Sequence, residues 1–317
     1  MHVRYSAFAL VAAALLAACA GGNQGSSSIP AATSAAQRHG WLSPKAKGQA
    51  LVYVSDNSAS AIEIYPAGTD NPSPMGSITD GISNPLGTYV DQSGTLYVAN
   101  AGNNTVTEYP AGSTTPSVTL SQGLNFPGNV SVDSRGNVAV AEFSQGLVLL
   151  FPKGASSPST TMQMPLVEQI AYDEHSRLFA AWNLNTGSQD VGGIEKCRSG
   201  YNVCVDQGIK QGQSGGLAID HKGNFVLGDQ NAQQINIYAR TGSHALLRSI
   251  STSGHDPVRV ALSRSVKGSD KTLYVADYTA NQVVLYDYLT GEQTGTISSG
   301  LQSVWGVSVS PPAGYGR

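Results

Sequence analysis

The chain has 317 residues, a formal net charge of −3 at neutral pH and only 12% charged residues. It lacks the basic stripe that nucleic-acid partners require, so we expect no nucleic acid among its partners. It is too long for a small disulfide-built domain. Its 36 glycines and 15 prolines indicate many turns that join short strands, which is typical of an all-β protein.

Residues 1–18 have the layout of a secretory signal peptide. Arg4 precedes an apolar run of about ten residues, half of the roughly twenty that a membrane-spanning helix needs. The segment Leu16-Ala-Ala-Cys19 resembles the bacterial lipobox, in which the cysteine becomes the first mature residue and carries the lipid. Cys19 is therefore the predicted lipidation site. The lipid would attach the protein to a membrane on the extracytoplasmic side of the cell envelope, either periplasmic or surface-exposed. The alternative is an ordinary signal peptide that contains a cysteine.

Residues 19–49 form a polar segment. It is rich in Gly, Ser, Ala and Gln, contains Pro30 and Pro44, and shows almost no apolar periodicity. Such a segment buries too little apolar surface to offset the entropy lost on ordering. We therefore expect a flexible tether, and a folded part that starts near Ala50.

One strand motif recurs six times in the remaining chain, at intervals of about 40 to 48 residues. Each copy is followed by a second strand, a less regular third strand, and a fourth element such as the one that ends at Asp91. Four strands in each of six units predict a six-bladed β-propeller. The predicted fold class is all-β, with the propeller over residues 50–312 and a C-terminal tail over 313–317. The motif copies start at Leu51, Thr95, Asn137, Arg177, Asn224 and Thr272.

Turns of the form Asp-x-x-Gly connect the fourth element to the next unit. They occur at residues 91–94, 133–136 and 220–223, and in a degraded form at 173–176. Aspartate in the first position and glycine in the fourth favour a type I turn. The fourth element and the strand after it are therefore predicted to be antiparallel neighbours in one sheet.

The segments 94–106 and 127–141 resemble the recurring pattern of the NHL-repeat family of β-propellers. The resemblance extends from residue 50 to about residue 311, and it implies the fold but no particular activity. In that family the element ending in Val-Asp is the innermost strand of a blade. This chain would then start on a second strand and end on an innermost one. We expect the C-terminal strand, 305–310, to join the N-terminal blade and close the ring, which leaves no open edge.

One polar residue per blade follows the recurrent strand, on what we expect to be the upper side of the ring. Six such acceptors suit a hard cation such as Ca²⁺, or would repel anions from the mouth of the channel. The alternative is that each side chain caps its own loop by accepting hydrogen bonds from nearby backbone amides. The predicted ring consists of Asp56, Asn100, Glu142, Asn183, Asp229 and Asp277.

The loops that lead into the innermost strands offer a second candidate site, with both charge signs and an aromatic side chain. This set has the components to bind a small polar or sugar-like ligand by stacking and hydrogen bonding. The alternative is an ion pair between Glu168 and Arg259 that plugs the channel, while Trp305 packs where the C-terminal strand closes the ring. The set consists of Asn129, Glu168, Gln169, Arg259 and Trp305.

A catalytic constellation is not recognisable. Lactonase-like propellers hold a divalent metal at the starts of their innermost strands, where only Glu168 and Asn129 of this chain have suitable oxygens. Apart from Ca²⁺ in the upper ring, the sequence predicts no metal and no cofactor. Two functions stay open. The first is a non-enzymatic module that binds or scaffolds a protein, peptide or glycan; the second is a metal-dependent hydrolase or lyase of the lactonase type that uses Glu142, Glu168 and His255.

Cys197 and Cys204 flank a hairpin in the fourth unit. A hairpin brings opposed residues within bridging distance, and an exported protein folds in an oxidising compartment. We predict a disulfide that staples the least regular blade. A metal site is the alternative, but no further Cys or His is left to complete it.

Overall fold

A computed structural model of the protein describes residues 40–185, 190–198, 203–264 and 269–310. The predicted signal peptide, the predicted lipidation site Cys19 and the predicted tail 313–317 lie outside these ranges. The described residues form twenty-five β-strands and one 3-10 helix, Pro44–Ala46, and they contain no helix long and apolar enough to span a bilayer. In chain order the strands are β1 (Trp41–Leu42), β2 (Leu51–Asp56), β3 (Ala61–Pro66), β4 (Gly76–Ile78), β5 (Pro85–Val90), β6 (Leu96–Asn100), β7 (Thr105–Tyr109), β8 (Val118–Leu120), β9 (Pro127–Val132), β10 (Val138–Glu142), β11 (Leu147–Phe151), β12 (Thr160–Gln163), β13 (Leu166–Tyr172), β14 (Leu178–Asn185), β15 (Asp190–Cys197), β16 (Cys204–Gln211), β17 (Ser214–Ile219), β18 (Phe225–Asp229), β19 (Gln234–Tyr238), β20 (Leu246–Ser251), β21 (Pro257–Arg264), β22 (Asp270–Asp277), β23 (Gln282–Asp287), β24 (Gln293–Ile297) and β25 (Val304–Val309).

The strands form six antiparallel sheets, which are the blades of a propeller. From the channel outwards, blade 2 has the order β5-β6-β7-β8, and blades 3 to 6 repeat this order starting from β9, β13, β17 and β21. The inner strands of successive blades contact one another around the channel, and β25 contacts β5. The predicted all-β class, with six blades of four strands, is confirmed.

Blade 1 combines strands from the N-terminal and C-terminal ends of the segment that forms the propeller. The C-terminal strand β25 is its inner strand and pairs with β2, with Val309 opposite Val52 and Gly306 opposite Ser55. Strands β3 and β4 follow outwards. The chain therefore closes the ring by the pairing that the sequence predicts.

A fifth strand on blade 1 corrects the predicted boundary between tether and propeller. Strand β1 pairs with β4, with Trp41 opposite Ser77 and Leu42 opposite Gly76. Leu42 packs on the hydrophobic cluster between blades 1 and 2, and Ala46 is buried in that cluster. This burial offsets the ordering entropy that the polar composition around these residues does not reveal. The folded chain starts before residue 50, so the predicted tether over 19–49 extends too far.

The strands are apolar on both faces because each blade is packed between two neighbours. In β10, Val138 and Val140 pack in the cluster shared with blade 2, whereas Ala139 and Ala141 pack in the cluster shared with blade 4. The resulting runs are continuously apolar, as in other sheets that are buried on both faces.

The Asp-x-x-Gly turns connect inner strands to second strands at the lower side of the ring. In the turn of blade 3, Asp133 Oδ1 accepts hydrogen bonds from Arg135 N at 2.9 Å and from Asn137 N at 2.8 Å. Gly136 has φ +86°, a left-handed conformation that favours glycine. The predicted turn chemistry therefore fixes the hairpin between β9 and β10.

Candidate functional site

The inner strands all begin on one side of the ring, which we call the upper side. Because each second strand is antiparallel to its inner strand, the turns that follow the second strands reach the same side. Both sets of candidate residues lie on this side or in the channel beneath it.

The members of the predicted polar ring hold loops. In five blades the side chain at the end of the second strand accepts a hydrogen bond from a backbone N–H of the loop that leads into the inner strand of the same blade. The donors, at 2.7–3.2 Å, are Gln302 and Ser303 N for Asp56, Ser83 N for Asn100, Asn125 N for Glu142, Gly212 N for Asp229, and Asp256 N for Asp277. Asp56, Asp229 and Asp277 also accept a hydrogen bond from a backbone N–H of the loop that follows their own strand, at Ala59, Ala232 and Ala280, as the loop-capping interpretation predicts.

Blade 4 departs from this pattern. Trp182 occupies the position at which the other blades carry the loop-holding side chain, and the predicted member, Asn183, follows it. Asn183 Oδ1 accepts a hydrogen bond from Ser214 N at 2.7 Å, and its Nδ2 donates to Ser214 O at 3.0 Å. Asn183 thus holds the loop of blade 5 instead of its own loop.

Metal binding on the upper side stays a prediction. In the part of the chain that the structure describes, no group of three or more His, Cys, Asp or Glu side chains is placed to hold a metal ion. Each member of the predicted ring has at least one acceptor oxygen that faces a backbone N–H group, so the geometry favours hydrogen bonding to loops over Ca²⁺ coordination.

Glu168 and Arg259 meet inside the channel. Arg259 Nη1 lies 3.8 Å from Glu168 Oε2, and both residues are buried, with exposed fractions of 4% for Arg259 and 6% for Glu168. Glu168 Oε1 accepts a hydrogen bond from Asn183 Nδ2 at 3.0 Å, and Arg259 Nη1 donates to Val258 O at 2.7 Å. Burial raises the pKa of Glu168, and the Arg259 guanidinium opposes that rise. This geometry favours the interpretation of the pair as a plug.

Asn129 and Gln169 link neighbouring inner strands. Asn129 Oδ1 accepts a hydrogen bond from Ile170 N at 3.1 Å, and Gln169 Oε1 accepts one from Leu217 N at 2.8 Å. Both side chains are buried. Two of the five predicted ligand-binding residues therefore bond to backbone amides of the next blade, which leaves only their remaining polar groups for a ligand.

Trp305 packs against an aromatic residue that the sequence analysis did not single out. Its ring centroid lies 4.5 Å from that of Tyr278, at an interplanar angle of 52°. Tyr278 follows Asp277 and is 42% exposed. Trp305 and Arg259 stand near the starts of the neighbouring inner strands β25 and β21. We call the region of Tyr278 and Trp305, together with the buried Glu168–Arg259 pair in the channel, the upper mouth.

The three residues of the lactonase-type hypothesis have separate partners. Glu142 bonds to Asn125 N, and Glu168 bonds to Asn183 and pairs with Arg259. His255 Nδ1 lies 2.6 Å from Asp277 Oδ2. Their described contacts join Glu142, Glu168 and His255 neither to one another nor to a shared group.

A cavity of about 510 Å³ occupies the lower part of the channel. Its wall is formed by inner strands and Asp-x-x-Gly turns, and it includes Thr88, Ser131, Tyr172 and Ser308. It lies on the opposite side of the ring from Trp305 and Tyr278. The chemistry of this channel is therefore divided between a cavity rich in hydroxyl groups below and an aromatic and charged mouth above.

The predicted disulfide between Cys197 and Cys204 is present. It joins β15 to β16, the two outer strands of blade 4, where Cys197 is buried in the cluster between blades 3 and 4. The alternative of a metal site at these two thiols is thereby excluded.

Comparison with known proteins shows the fold and no family. No protein-family model matches this sequence, and no curated protein matches it. The structure is similar to a chain of the nidogen/laminin complex, with a TM-score of 0.66 and 14% identity over 83% of this chain and 98% of that chain. It is also similar to hydrazine synthase from Kuenenia stuttgartiensis, with a TM-score of 0.59 and 14% identity over 89% of this chain and 93% of that chain. At this level of identity the likeness supports the propeller fold alone.

Proposed function

We propose that the protein is an exported, lipid-anchored binding module of the NHL-repeat type, and that its upper mouth engages a protein, peptide or glycan. The observation that carries this proposal is the Tyr278–Trp305 pair, in which Tyr278 is exposed and Trp305 half-buried, on the side of the ring where the inner strands that carry Trp305 and Arg259 begin. Aromatic side chains with a polar handle next to fixed charged groups are the usual components of a recognition surface.

Two further observations support this function. The similar propeller in the nidogen/laminin complex comes from a structure of a protein–protein complex, so a fold of this kind serves protein binding there. In five blades one polar side chain on the upper side bonds to the loop that leads into the inner strand, which gives the mouth a rigid frame. A rigid frame reduces the entropy lost when a partner binds.

The disulfide supports an extracytoplasmic location. Disulfides form and persist in oxidising compartments and are rare in the cytosol. Cys197–Cys204 therefore agrees with export, and export agrees with the predicted signal peptide over residues 1–18. The lipid on Cys19 would add the membrane attachment.

Binding is tested with a glycan array and a peptide library applied to the native protein and to a Trp305→Ala variant. We expect ligands of the native protein to lose at least tenfold in affinity for the variant, because the stacking surface is removed. Leu289→Ala is the matched control, since Leu289 is 72% exposed in a hairpin on the lower side. Failure of the native protein to bind any member of either set would contradict the proposal.

The anchor is tested by replacing Cys19 with Ser and measuring how the protein divides between membrane and soluble fractions. We expect the native protein to incorporate a labelled fatty acid and to partition with membranes, and the variant to do neither. Membrane association of Cys19→Ser equal to that of the native protein would refute lipidation at this residue.

A further inference from the structure

Blade 3 carries a second exposed aromatic pair on the upper side. The ring centroids of Phe126 and Phe143 lie 6.4 Å apart, and Phe126 is 41% exposed. Phe126 directly precedes β9, and Phe143 directly follows β10. Both residues of this pair belong to blade 3, whereas the Tyr278–Trp305 pair joins Tyr278, after the second strand of blade 6, to Trp305 in the inner strand of blade 1.

The repeat shows that Phe143 and Tyr278 lie on opposite blades. The residue that directly follows the loop-holding position is aromatic in blades 3 and 6 and in no other blade. Blades three positions apart in a ring of six stand on opposite sides of the channel. From blade 1 to blade 6 the residues at this position are Asn57, Ala101, Phe143, Asn183, Gln230 and Tyr278.

The backbone at Phe126 does not favour an aromatic residue. Phe126 has φ +69°, in the left-handed region, and the equivalent residue of blade 2, Asn84, has φ +43°. Both precede a proline at the start of an inner strand, Pro127 or Pro85. Asparagine tolerates this conformation, whereas a bulky side chain rarely adopts it. Such strained residues cluster at binding sites, and the fold itself gives no reason for an exposed phenylalanine here.

The chemistry of the phenylalanine pair favours an apolar occupant. Phenylalanine has no polar group with which to bond a sugar hydroxyl. The nearby Asn104 Oδ1 already accepts a hydrogen bond from Phe126 N at 2.9 Å, and the neighbouring Asn125 N donates to Glu142. An apolar side chain of a polypeptide therefore fits this pair better than a glycan does.

We propose that the partner is an extended polypeptide segment that crosses the upper mouth, with one apolar anchor on Phe126 and Phe143 and a second on Tyr278 and Trp305. The segment between the anchors passes over the polar channel that contains Glu168 and Arg259. A monosaccharide or another compact ligand does not reach both pairs, because one pair stands on blade 3 and the other stands across the channel on blades 6 and 1. This inference rests on the proposed function in taking the upper mouth as the binding surface.

The test uses a phage-displayed library of random linear 16-residue peptides, selected on the immobilised full chain. We expect the enriched peptides to share two apolar residues at a constant spacing with polar residues between them. Each of the variants Phe126→Asn and Tyr278→Asn should weaken their binding at least tenfold, and Leu289→Asn on the lower side should leave it unchanged. Asparagine suits the left-handed backbone at residue 126. Circular dichroism and thermal melting verify that each variant is folded, and Phe126→Tyr should retain binding.

The outcomes separate this inference from the proposed function. Peptides that depend on Tyr278 but not on Phe126 would overturn the two-anchor arrangement and leave the upper mouth as a binding site. No enriched peptide, together with glycan binding that is lost in Tyr278→Asn, would have the same consequence. Absence of both peptide and glycan binding would overturn the inference and the proposed function together.

Discussion

Replacing Arg259 with Met should strongly destabilise the propeller, because it leaves the buried Glu168 carboxylate without its cation. At the observed separation of 3.8 Å, Coulomb's law with an effective dielectric constant of about 20 gives an attraction of about 4 kcal/mol. Removal of one partner from a buried pair costs roughly 3–5 kcal/mol in other proteins, a large part of a typical stability of about 5–15 kcal/mol. Urea unfolding followed by tryptophan fluorescence measures the loss.

The free energy of unfolding of the same variant should also depend on pH over a wider range than that of the native protein. Burial already raises the pKa of Glu168, and loss of Arg259 removes an opposing effect, so the pKa in the folded state rises further above its unfolded value. Between these two pKa values the folded protein binds more protons than the unfolded chain. Its free energy of unfolding is therefore highest below the unfolded pKa and falls as the pH rises through the folded pKa.

The double variant Glu168→Gln with Arg259→Met is the control, because it removes both charges and keeps similar volumes. We expect its stability to lie within about 1–2 kcal/mol of the native value, since replacement of a whole buried pair is often neutral. The argument for a plug fails if Arg259→Met alone loses less than about 1 kcal/mol, or if its stability does not fall with rising pH.

Two further predictions concern the outer strands of blade 4 and the buried carboxylate of blade 3. The double variant Cys197→Ser and Cys204→Ser should lose about 2.5 kcal/mol, the loop-closure value for a sequence separation of 7. Thermal melting measures this loss, and the native protein with its disulfide reduced should melt at the same temperature as the variant. A variant that melts at the same temperature as the oxidised native protein would contradict the prediction. Burial raises the pKa of Glu142 to about 7, and the hydrogen bond from Asn125 N–H opposes this rise. The contribution of Glu142 to the free energy of unfolding is therefore fully present below its unfolded pKa and is lost as the pH rises through about 7. Urea unfolding at a series of pH values should show that the free energy of unfolding of the native protein declines by up to about 3 kcal/mol, and that Glu142→Gln abolishes this decline. An equal decline in both proteins would exclude Glu142 as its source.

The fold was predictable because repeated motifs specify repeated contacts. The Asp-x-x-Gly turn at 133–136 predicts the hairpin between β9 and β10, because its hydrogen bonds join residues close in sequence. Ring closure was also predictable, because the first motif lacks an inner strand and the last segment supplies one. In contrast, β1 was missed because its apolar content is only Trp41 and Leu42, and its stability depends on pairing with β4.

The candidate site was predictable only in part, because its geometry depends on contacts between blades. Asn129 and Gln169 are polar residues at the starts of inner strands, but the sequence does not show that each accepts a hydrogen bond from the next blade. Asn183 could be assigned to a ring by position, yet the tryptophan before it takes that position and turns Asn183 towards blade 5. Tyr278 became a candidate only when its ring was found against Trp305.

These outcomes suggest where function resides in a repeat protein of this kind. A side chain that recurs at the same position in most blades meets the same local need in each of them, as Asp56 and Asn100 do when they hold the loops that lead into inner strands. A ligand contacts the ring from one direction and breaks its symmetry, so it is recognised by residues that depart from the repeat. Phe126 is such a departure, because blade 2 meets the same backbone requirement with asparagine. Residues that differ from the repeat consensus are therefore better first targets for mutation than residues that follow it.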